Sequence, residues 1–472
     1  MTKTLPNIVW IVWDSCRADF TLSDYRGIEL TPNLKKLAED GVTFNNAFSA
    51  APWTLPSHAS MFTGLYPSKH SYLDDGMELY GQHIAEILAS EGYNTISVTG
   101  LAKIGSHTPL SNGFETVYEL FRLPRVGMDI RDIWKYYGQI FKEWAKFLPN
   151  YLANRQGGEY LETSLLKHYI SKAPDSDPVF IFANYISPHS EYNAPEPYRS
   201  RFEGKYDDAR EEIVEQLCIR GGYRYMADEI SVNETEWQAV KDRYAGEIRY
   251  VDSQLGSLIQ CMKSCDIYDQ SIIIVTSDHG EHFGEHGRAY HQFSLYDEVI
   301  NVPMVIEFLN NNYAGTEISN LVSSVDLFPT ILDSVDLKVD QGNGESLTPI
   351  NKISREAVFA EYGEPVTAIQ ALHNNTENQV SSDIIDELDT SLQCVRTEDH
   401  KLIQHTKGDY EAYDLSTKPK ESRDLSESGS TPYETKNLIN EIERNLSVLP
   451  PIPEESTDDR EIRKNLKALG YR

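Results

Sequence analysis

Three side chains able to bind a metal ion follow apolar runs typical of buried strands. Asp14 comes directly after the run Ile8–Trp13, and Asp278 and His279 close the run Ile272–Ser277. Because parallel strands end at the same edge of a sheet, we expect these side chains to converge there. Mixed oxygen and nitrogen ligands suit Mn²⁺, Zn²⁺, Mg²⁺ or Ca²⁺. A helix cap is the alternative role for Asp14.

A hydroxyl stands at a second position that favours chemistry. Thr54 lies in the stretch APWTLPSHASMFTG at 51–64, which predicts a sharp turn opening a short helix, with Pro56 in its first turn and Ser57 as a local cap. A hydroxyl at a helix start faces unpaired N–H groups and the positive end of the helix dipole, which suit an anionic substrate. Thr54 is the candidate nucleophile, and a plain N-terminal cap is the alternative.

Two histidines extend the candidate site beyond the predicted metal ligands. His189 follows the apolar run Val179–Tyr185, and His291 follows the glycine-rich turn DHGEHFGEHG at 278–287. Imidazoles on the approach to such a site donate protons or bind anionic oxygens, and we predict these roles for both. Arg17 and His58 are predicted to bind substrate.

The rest of the chain alternates short apolar runs with amphipathic helical patterns. Further buried strands are predicted at 95–98 and 304–308, and helices at 33–39, 82–90 and 235–261. Such alternation favours an α/β fold in which helices cover both faces of a large, mostly parallel sheet.

Several regions depart from this rhythm. A helical insertion is predicted at about 115–175, and a variable surface insertion at about 203–235. In the first, one helix at 132–148 carries an aromatic face that packs on the core, forms a lid or binds a partner; its members are Trp134, Tyr137, Phe141, Trp144 and Leu148.

The pattern changes again near the C-terminus. Residues 1–345 are predicted to form the catalytic domain, and short strands at 346–448 predict a small antiparallel subdomain with a polar loop at 366–390. A linker and a C-terminal helix are predicted at 449–472.

Composition restricts the possible partners. The formal net charge of −30 argues against nucleic acid and anionic membranes, and its even spread suits a protein adapted to a salt-accumulating halophile. No segment approaches the length of a membrane span. Five scattered cysteines predict a reduced, cytoplasmic protein, with Cys261 and Cys265 as a buried pair on one helix face.

Several motifs together resemble the sulfatase family of the alkaline phosphatase superfamily. They follow that family's order and are DSCRAD at 14–19, TPNLKKLAEDGVTFNNAF at 31–48, PWTLPSHASMFTGLYP at 52–67, YAGEIRYVDSQLG at 244–256 and SDHGEHFGEHG at 277–287. The resemblance implies an α/β/α sandwich with a large, mostly parallel mixed sheet and a small C-terminal antiparallel subdomain. It also implies hydrolysis of a sulfate or phosphate ester on a bound divalent metal ion.

The resemblance gives each candidate residue a role. Asp14, Asp278 and His279 match metal ligands. Thr54 matches the nucleophile, whose oxygen also contacts the metal. His189 and His291 match positions that stabilise the transferred group or protonate the leaving group.

The chain departs from the best-known sulfatases at the nucleophile. Those proteins carry Cys or Ser, which is oxidised to formylglycine, with Arg four residues later. This chain has Thr54 and His58, and threonine cannot form the same aldehyde, so no formylglycine is expected. Lys103 is a weak substitute for the family's Lys-x-His. Asn184 and Ser187 lie where a further acidic ligand is expected, so one metal ion is predicted.

The combination of Asp, Thr and Asp-His resembles instead phosphodiesterases and phosphoglycerol transferases of the superfamily, in which a threonine alkoxide attacks phosphorus. The sequence thus predicts a metal-dependent hydrolase that cleaves a small anionic ester, with phosphodiesters or phosphomonoesters favoured. A formylglycine-independent sulfuric ester hydrolase, a phosphoryl-group transferase and a non-catalytic, metal-stabilised binding protein are the alternatives. The oligomeric state is left open.

Overall fold

A computed structural model describes residues 5–120, 158–171, 177–202, 204, 210–309, 312–416, 421–422, 424–426 and 433–453. The predicted aromatic helix at 132–148 and the C-terminal helix beyond the linker lie outside the described residues.

The strands, in chain order, are β1 (Asn7–Trp13), β2 (Asp24–Tyr25), β3 (Ile28–Glu29), β4 (Val42–Phe48), β5 (Asn94–Thr99), β6 (Thr116–Glu119), β7 (Val179–Tyr185), β8 (Ser271–Thr276), β9 (His282–Phe283), β10 (Ala289–Tyr290), β11 (Met304–Glu307), β12 (Thr316–Ser323), β13 (Val358–Tyr362), β14 (Leu392–Arg396), β15 (His400–His405) and β16 (Tyr410–Asp414). The α-helices are α1 (Pro32–Asp40), α2 (Thr54–Thr63), α3 (Pro67–His70), α4 (Ile84–Ser90), α5 (Gly158–Ile170), α6 (Tyr198–Phe202), α7 (Glu211–Ile219), α8 (Gly221–Met226), α9 (Glu234–Ser264), α10 (Asp297–Ile300), α11 (Leu327–Ser334), α12 (Val366–Asn375), α13 (Ser382–Leu388) and α14 (Tyr433–Asn445).

The larger sheet has eight strands in the order β12-β4-β11-β8-β1-β7-β5-β6. Its centre is parallel, since β1 pairs in parallel with both β7 and β8. Strand β11 is the exception and runs antiparallel to β8 and β4. The carboxyl ends of β1, β7 and β8 therefore lie side by side at one edge of the sheet.

Alternate side chains of the central strands enter two apolar cores on opposite faces. Val9 and Ile11 pack in a core that includes residues of α1, α5 and α9, whereas Ile8 and Trp10 pack in a core with residues of α2, α4 and α11. Because both faces are covered, the strands are apolar along their length rather than alternating. The fold is the α/β/α sandwich expected from the sequence.

A separate antiparallel sheet, β13-β14-β15-β16, forms the C-terminal part. The prediction of a loop at 366–390 is wrong, because helices α12 and α13 occupy most of this segment. Ala368 and Leu372 lie one helical turn apart on α12 and are buried against this part of the protein. Their short apolar stripe forms a helix despite the polar composition.

Two further expectations need correction. The insertion at 203–235 is not simply a surface segment, because Val214 and Leu217 of α7 are buried in the core that contains α9. Cys261 and Cys265 are half-buried rather than buried, since they lie in the last turn and at the C-cap of α9.

Among the described residues, no helix combines the length and the apolar character that a bilayer crossing requires.

Candidate active site

The adjacent ends of β1 and β8 bring the three predicted metal ligands together. Val12 pairs with Thr276 in the two strands, and the chain beyond each strand carries Asp14 on one side and Asp278 and His279 on the other. One ligand atom from each of the three lies within 4.8 Å of the others. His279 Nε2 is 3.8 Å from Asp14 Oδ1 and 3.4 Å from Asp278 Oδ2. All three side chains are fully buried.

Neighbouring groups orient these ligands. His279 Nδ1 donates to the Gly280 carbonyl at 3.0 Å, so its Nε2 presents a lone pair towards the carboxylates. Ser15, in the turn after β1, uses both of its donors. Its backbone N–H binds Asp278 Oδ1 at 3.1 Å, and its hydroxyl binds Asp14 Oδ1 at 3.1 Å. Each carboxylate is thereby held through one oxygen, leaving the other for a different partner.

The remaining carboxylate oxygens fit a divalent cation. Asp14 Oδ2 and Asp278 Oδ2 are buried and have no hydrogen-bond partner among the described residues. Burial, and then the charge of Asp278, raise the pKa of Asp14 well above its usual range. For Asp278, burial acts in the same direction, but His279 and His58 outweigh it and lower the pKa. Unpaired buried oxygens are costly, and a bound cation would satisfy them.

Helix α2 places the candidate nucleophile beside this cluster. It begins at Thr54 itself, with Trp53 as the N-cap, so the hydroxyl lies at the positive end of the helix dipole. Thr54 Oγ1 is 3.5 Å from His279 Nε2, and the residue is 6 % exposed. The prediction that Ser57 caps the helix is wrong, because the helix begins three residues before it. Its hydroxyl instead donates to the Asp278 carbonyl at 2.7 Å.

His58, a predicted substrate-binding residue, lies behind the cluster. It is fully buried, and its Nδ1 donates to the Thr54 carbonyl at 2.8 Å. Its Nε2 is 2.9 Å from Asn184 Oδ1 at the end of β7. These contacts hold α2 against the sheet edge, and they leave His58 without access to a substrate.

Arg17 is the other predicted substrate-binding residue, and its side chain also makes its polar contacts within the protein. Its guanidinium binds the Asp19 carboxylate at 2.8 Å and the Glu285 carboxylate at 3.1 Å. It also donates to the Glu281 carbonyl at 3.1 Å. Arg17 therefore ties the turn after β1 to the glycine-rich turn, in a position that is 6 % exposed.

Three imidazoles form a row from the buried cluster towards the surface. The ring of His291 lies 4.3 Å from that of His279 and 5.2 Å from that of His189, measured between centroids. His279 and His291 are buried, whereas His189 is half-buried. Both histidines predicted on the approach to the site are thus beside it. Burial, followed by the neighbouring His189, lowers the pKa of His291 well below its ordinary value.

Glu281 is a site residue that the sequence reasoning missed. It is fully buried, and its Oε1 accepts a hydrogen bond from His291 Nδ1 at 3.2 Å. Burial raises the pKa of Glu281 to about 7. Its place three residues after Asp278 is the signal that could have indicated it. Ser15 was missed in the same way, directly after Asp14.

A second group of possible ligands lies between the glycine-rich turn and the C-terminal part. One ligand atom from each of His286, Glu298 and Glu421 lies within 4.8 Å of the others. Lys401 Nζ is 2.5 Å from Glu421 Oε1, and His286 Nε2 is 3.4 Å from Glu298 Oε2. These ion pairs already balance the carboxylates, so this group connects two parts of the fold.

A comparison with known families shows the family of this chain. A profile described as Sulfatase matches residues 6–337. The chain belongs to the sulfatase family. Family membership supports the hydrolysis of an ester, and members of the sulfatase family use a divalent metal ion.

Several known proteins are similar to this chain over nearly its whole length. The multifunctional alkaline phosphatase superfamily protein PehA of Trinickia caryophylli is 24% identical over 90% of this chain and 91% of its own. An arylsulfatase of Clostridium perfringens is 23% identical over 93% of this chain and 94% of its own. Among solved structures, a phosphonate monoester hydrolase of Agrobacterium radiobacter superposes with a TM-score of 0.68 at 19% identity, covering 96% of this chain and 100% of that one. The structural likeness shows a shared fold.

Proposed function

We propose that this protein hydrolyses a small anionic ester through attack of Thr54, with phosphodiesters and phosphomonoesters favoured over sulfate esters. The observation that carries the proposal is the 3.5 Å approach of Thr54 Oγ1 to His279 Nε2 in a buried group with two unsatisfied carboxylate oxygens. A helix start beside such a group supplies both a hydroxyl and a place for negative charge.

The proposal includes one divalent ion, which is Mn²⁺, Ca²⁺, Zn²⁺ or Mg²⁺. Asp14, Asp278 and His279 would hold it, and Thr54 Oγ1 is close enough to the same group to join them. Such an ion supplies positive charge that stabilises the negative charge developing on the transferred group.

Thr54 Oγ1 releases its proton to water and forms a bond to the phosphorus of the substrate, while the bond to the leaving oxygen breaks and that oxygen takes up a proton. The start of α2 stabilises the negative charge on the attacking oxygen. Water then cleaves the ester on Thr54 and regenerates the hydroxyl. Threonine lacks the aldehyde hydrate through which formylglycine expels sulfate, and this difference supports the preference for phosphoryl substrates.

We assign the proton that the leaving oxygen needs to His189. Its Nδ1 donates to the Ser190 carbonyl at 2.6 Å, so its Nε2 is the nitrogen available for exchange. His189 is half-buried at the outer end of the imidazole row, whereas His291 is buried next to His279. We therefore propose that His291 binds an oxygen of the transferred group through Nε2, which must take up a proton and give up its 3.0 Å contact with Gln292 Nε2 when the anion binds.

A parallel substrate screen tests this function. Purified protein with each of the four metal ions is given 4-nitrophenyl phosphate, bis(4-nitrophenyl) phosphate, 4-nitrophenyl phenylphosphonate and 4-nitrophenyl sulfate. The likeness to a multifunctional protein and to phosphonate monoester hydrolases supports including the phosphonate. We expect the highest kcat/KM for a phosphoryl substrate. A higher value for the sulfate would overturn the ranking, and no turnover of any ester would favour a binding protein.

A further inference from the structure

Two buried carboxylates meet at a single hydroxyl beside the active site. Glu159 of α5 and Glu247 of α9 are 5 % and 4 % exposed. Glu159 Oε1 and Glu247 Oε2 each lie 2.8 Å from Ser187 Oγ, just beyond the end of β7. This group is distinct from the predicted metal ligands and follows a different strand.

The count of hydrogens at Ser187 fixes the protonation of this group. A serine hydroxyl has one hydrogen and can donate it to only one of the two carboxyl groups. The other carboxyl group must therefore donate to Ser187 Oγ. Glu159 Oε1 also accepts from the Ser187 backbone N–H at 3.0 Å, which makes Glu159 the acceptor. Burial, and then the charge of Glu159, raise the pKa of Glu247 to about 8, so Glu247 carries the proton at neutral pH.

Glu247 also reaches the other end of the same loop. Its Oε1 accepts from the Asn193 backbone N–H at 2.5 Å. One side chain thus binds both Ser187 and Asn193, and His189 lies between them. We propose that Glu247 is a positioning residue for His189, acting in its protonated form by donating to Ser187 Oγ and accepting from Asn193. The inference rests on the proposed role of His189.

The surroundings of Glu247 favour the protonated form. Glu159 of α5 and Tyr250 of its own helix are titratable groups that interact with Glu247, and Arg199 of α6 binds the Asn193 side chain at 2.8 Å. Loss of the proton from Glu247 would set two carboxylates against one another across Ser187 Oγ. The loop at 187–193 is then expected to loosen, and His189 to lose its position, as the pH rises past about 8.

Three variants test the inference: Glu247→Gln, Glu247→Ala and Ser187→Ala. Glutamine reproduces the protonated carboxyl, since its amide donates to Ser187 Oγ and its carbonyl accepts from Asn193. kcat and KM for bis(4-nitrophenyl) phosphate are measured from pH 6 to pH 10 with the activating metal. We expect Glu247→Ala and Ser187→Ala to lower kcat roughly 10-fold to 100-fold with little change in KM. We expect Glu247→Gln to keep kcat within about threefold at neutral pH and to lack only the part of the wild-type alkaline loss that begins near pH 8.

Kinetics that place Glu247→Gln as low as Glu247→Ala would overturn the inference, as would wild-type kcat in Glu247→Ala. Crystal structures of wild type and Glu247→Ala give a readout that needs no turnover, and they identify variants that fold normally. We expect His189 to be displaced or disordered in the variant. An unmoved His189 contradicts the inference even if the kinetics agree. A wild-type protein that hydrolyses no ester would instead refute the proposed function, while the His189 position still decides the role of Glu247.

Discussion

Two groups of buried acids lie next to one another at the same edge of the sheet, and they are satisfied in different ways. At the ends of β1 and β8, Asp14 and Asp278 each keep one oxygen without a hydrogen-bond partner among the described residues. Beyond β7, Glu159 and Glu247 share Ser187 Oγ, and backbone N–H groups bind both of them.

The difference shows how the partners of a buried carboxylate indicate its role. Glu159 and Glu247 bind one hydroxyl and two backbone N–H groups, and a single added proton is enough to complete their hydrogen bonds. Unpaired oxygens beside an imidazole lone pair need a cation instead. The group of Glu159 and Glu247 is suited to holding a loop, and the group of Asp14 and Asp278 to binding a metal ion.

Replacing a carboxyl group by an amide is therefore expected to have a large effect in one group and a small effect in the other. Asp278→Asn removes a charge that the metal requires, so we expect loss of bound metal and a fall in kcat/KM of about 1,000-fold. Glu247→Gln replaces a carboxyl group that is already neutral, so we expect kcat/KM to fall only about threefold. Metal analysis and kinetics on both variants check this. Equal losses would remove the distinction between the two groups.

Glu281→Gln tests whether Glu281 supports His291 or is itself a metal ligand. Glu281 holds His291 through Nδ1 at 3.2 Å, and an amide can turn its donor towards that nitrogen. We expect kcat to fall roughly 10-fold to 100-fold while bound metal stays at the wild-type level. Glu215→Gln, at an exposed position on α7, is the matched control. Loss of metal in Glu281→Gln would instead place Glu281 among the ligands.

Metal removal is expected to change stability only through the first group. A cation bound to the folded state alone adds about 2.7 kcal/mol when its concentration is 100 times the dissociation constant. We expect chelation to lower the thermal midpoint of wild type and of Glu247→Gln equally, and to leave Asp278→Asn unchanged. Differential scanning calorimetry measures these shifts. An Asp278→Asn protein that still responds to metal would show that the ion binds elsewhere.

Glu247 also predicts a pH dependence of stability. Its folded-state pKa of about 8 lies above the usual value of 4.5, so the folded protein holds a proton that the unfolded chain has released. Wild type should therefore lose stability relative to Glu247→Gln as the pH rises from about 4.5 to about 8. Urea unfolding at a series of pH values measures the difference. A constant difference would show that folding does not raise the pKa of Glu247.

The smallest expected effect comes from the contact that joins α2 to the turn after β8, which carries Asp278 and His279. Ser57→Ala removes the hydroxyl that donates to the Asp278 carbonyl, which also accepts from Ser49 Oγ at 2.5 Å. We expect the free energy of unfolding to fall by about 1 kcal/mol. Ser90→Ala, at an exposed position in α4, should change it by less. Equal changes would show that the Ser57 contact adds nothing.

The sequence predicted the first group of acids and missed the second for a physical reason. Asp14 and Asp278 follow apolar strands, and parallel strands place their carboxyl ends together. The apolar runs alone therefore predict that these two residues lie near one another. Glu247 lies in an amphipathic helix, where a glutamate is ordinarily exposed. Its burial depends on how α9 packs against α5 and the β7 loop, and no local pattern records that packing.

The errors in secondary structure have a similar origin. The segment at 366–390 is polar in composition, and the stripe formed by Ala368 and Leu372 is too short to stand out. Ser57 has the side chain of a cap, but the preceding turn allows α2 to begin at Thr54. The large sheet was predictable because its strands are buried on both faces and their apolar runs are continuous.

The most direct test of the proposed chemistry is the rate of ester hydrolysis without the Thr54 hydroxyl. Thr54→Ala and Thr54→Ser are compared with wild type on bis(4-nitrophenyl) phosphate at saturating metal, and intact mass confirms an unmodified threonine in wild type. We expect Thr54→Ala to lower kcat by about 1,000-fold or more, and Thr54→Ser to retain kcat within about tenfold. Hydrolysis by Thr54→Ala at the wild-type rate would contradict this expectation.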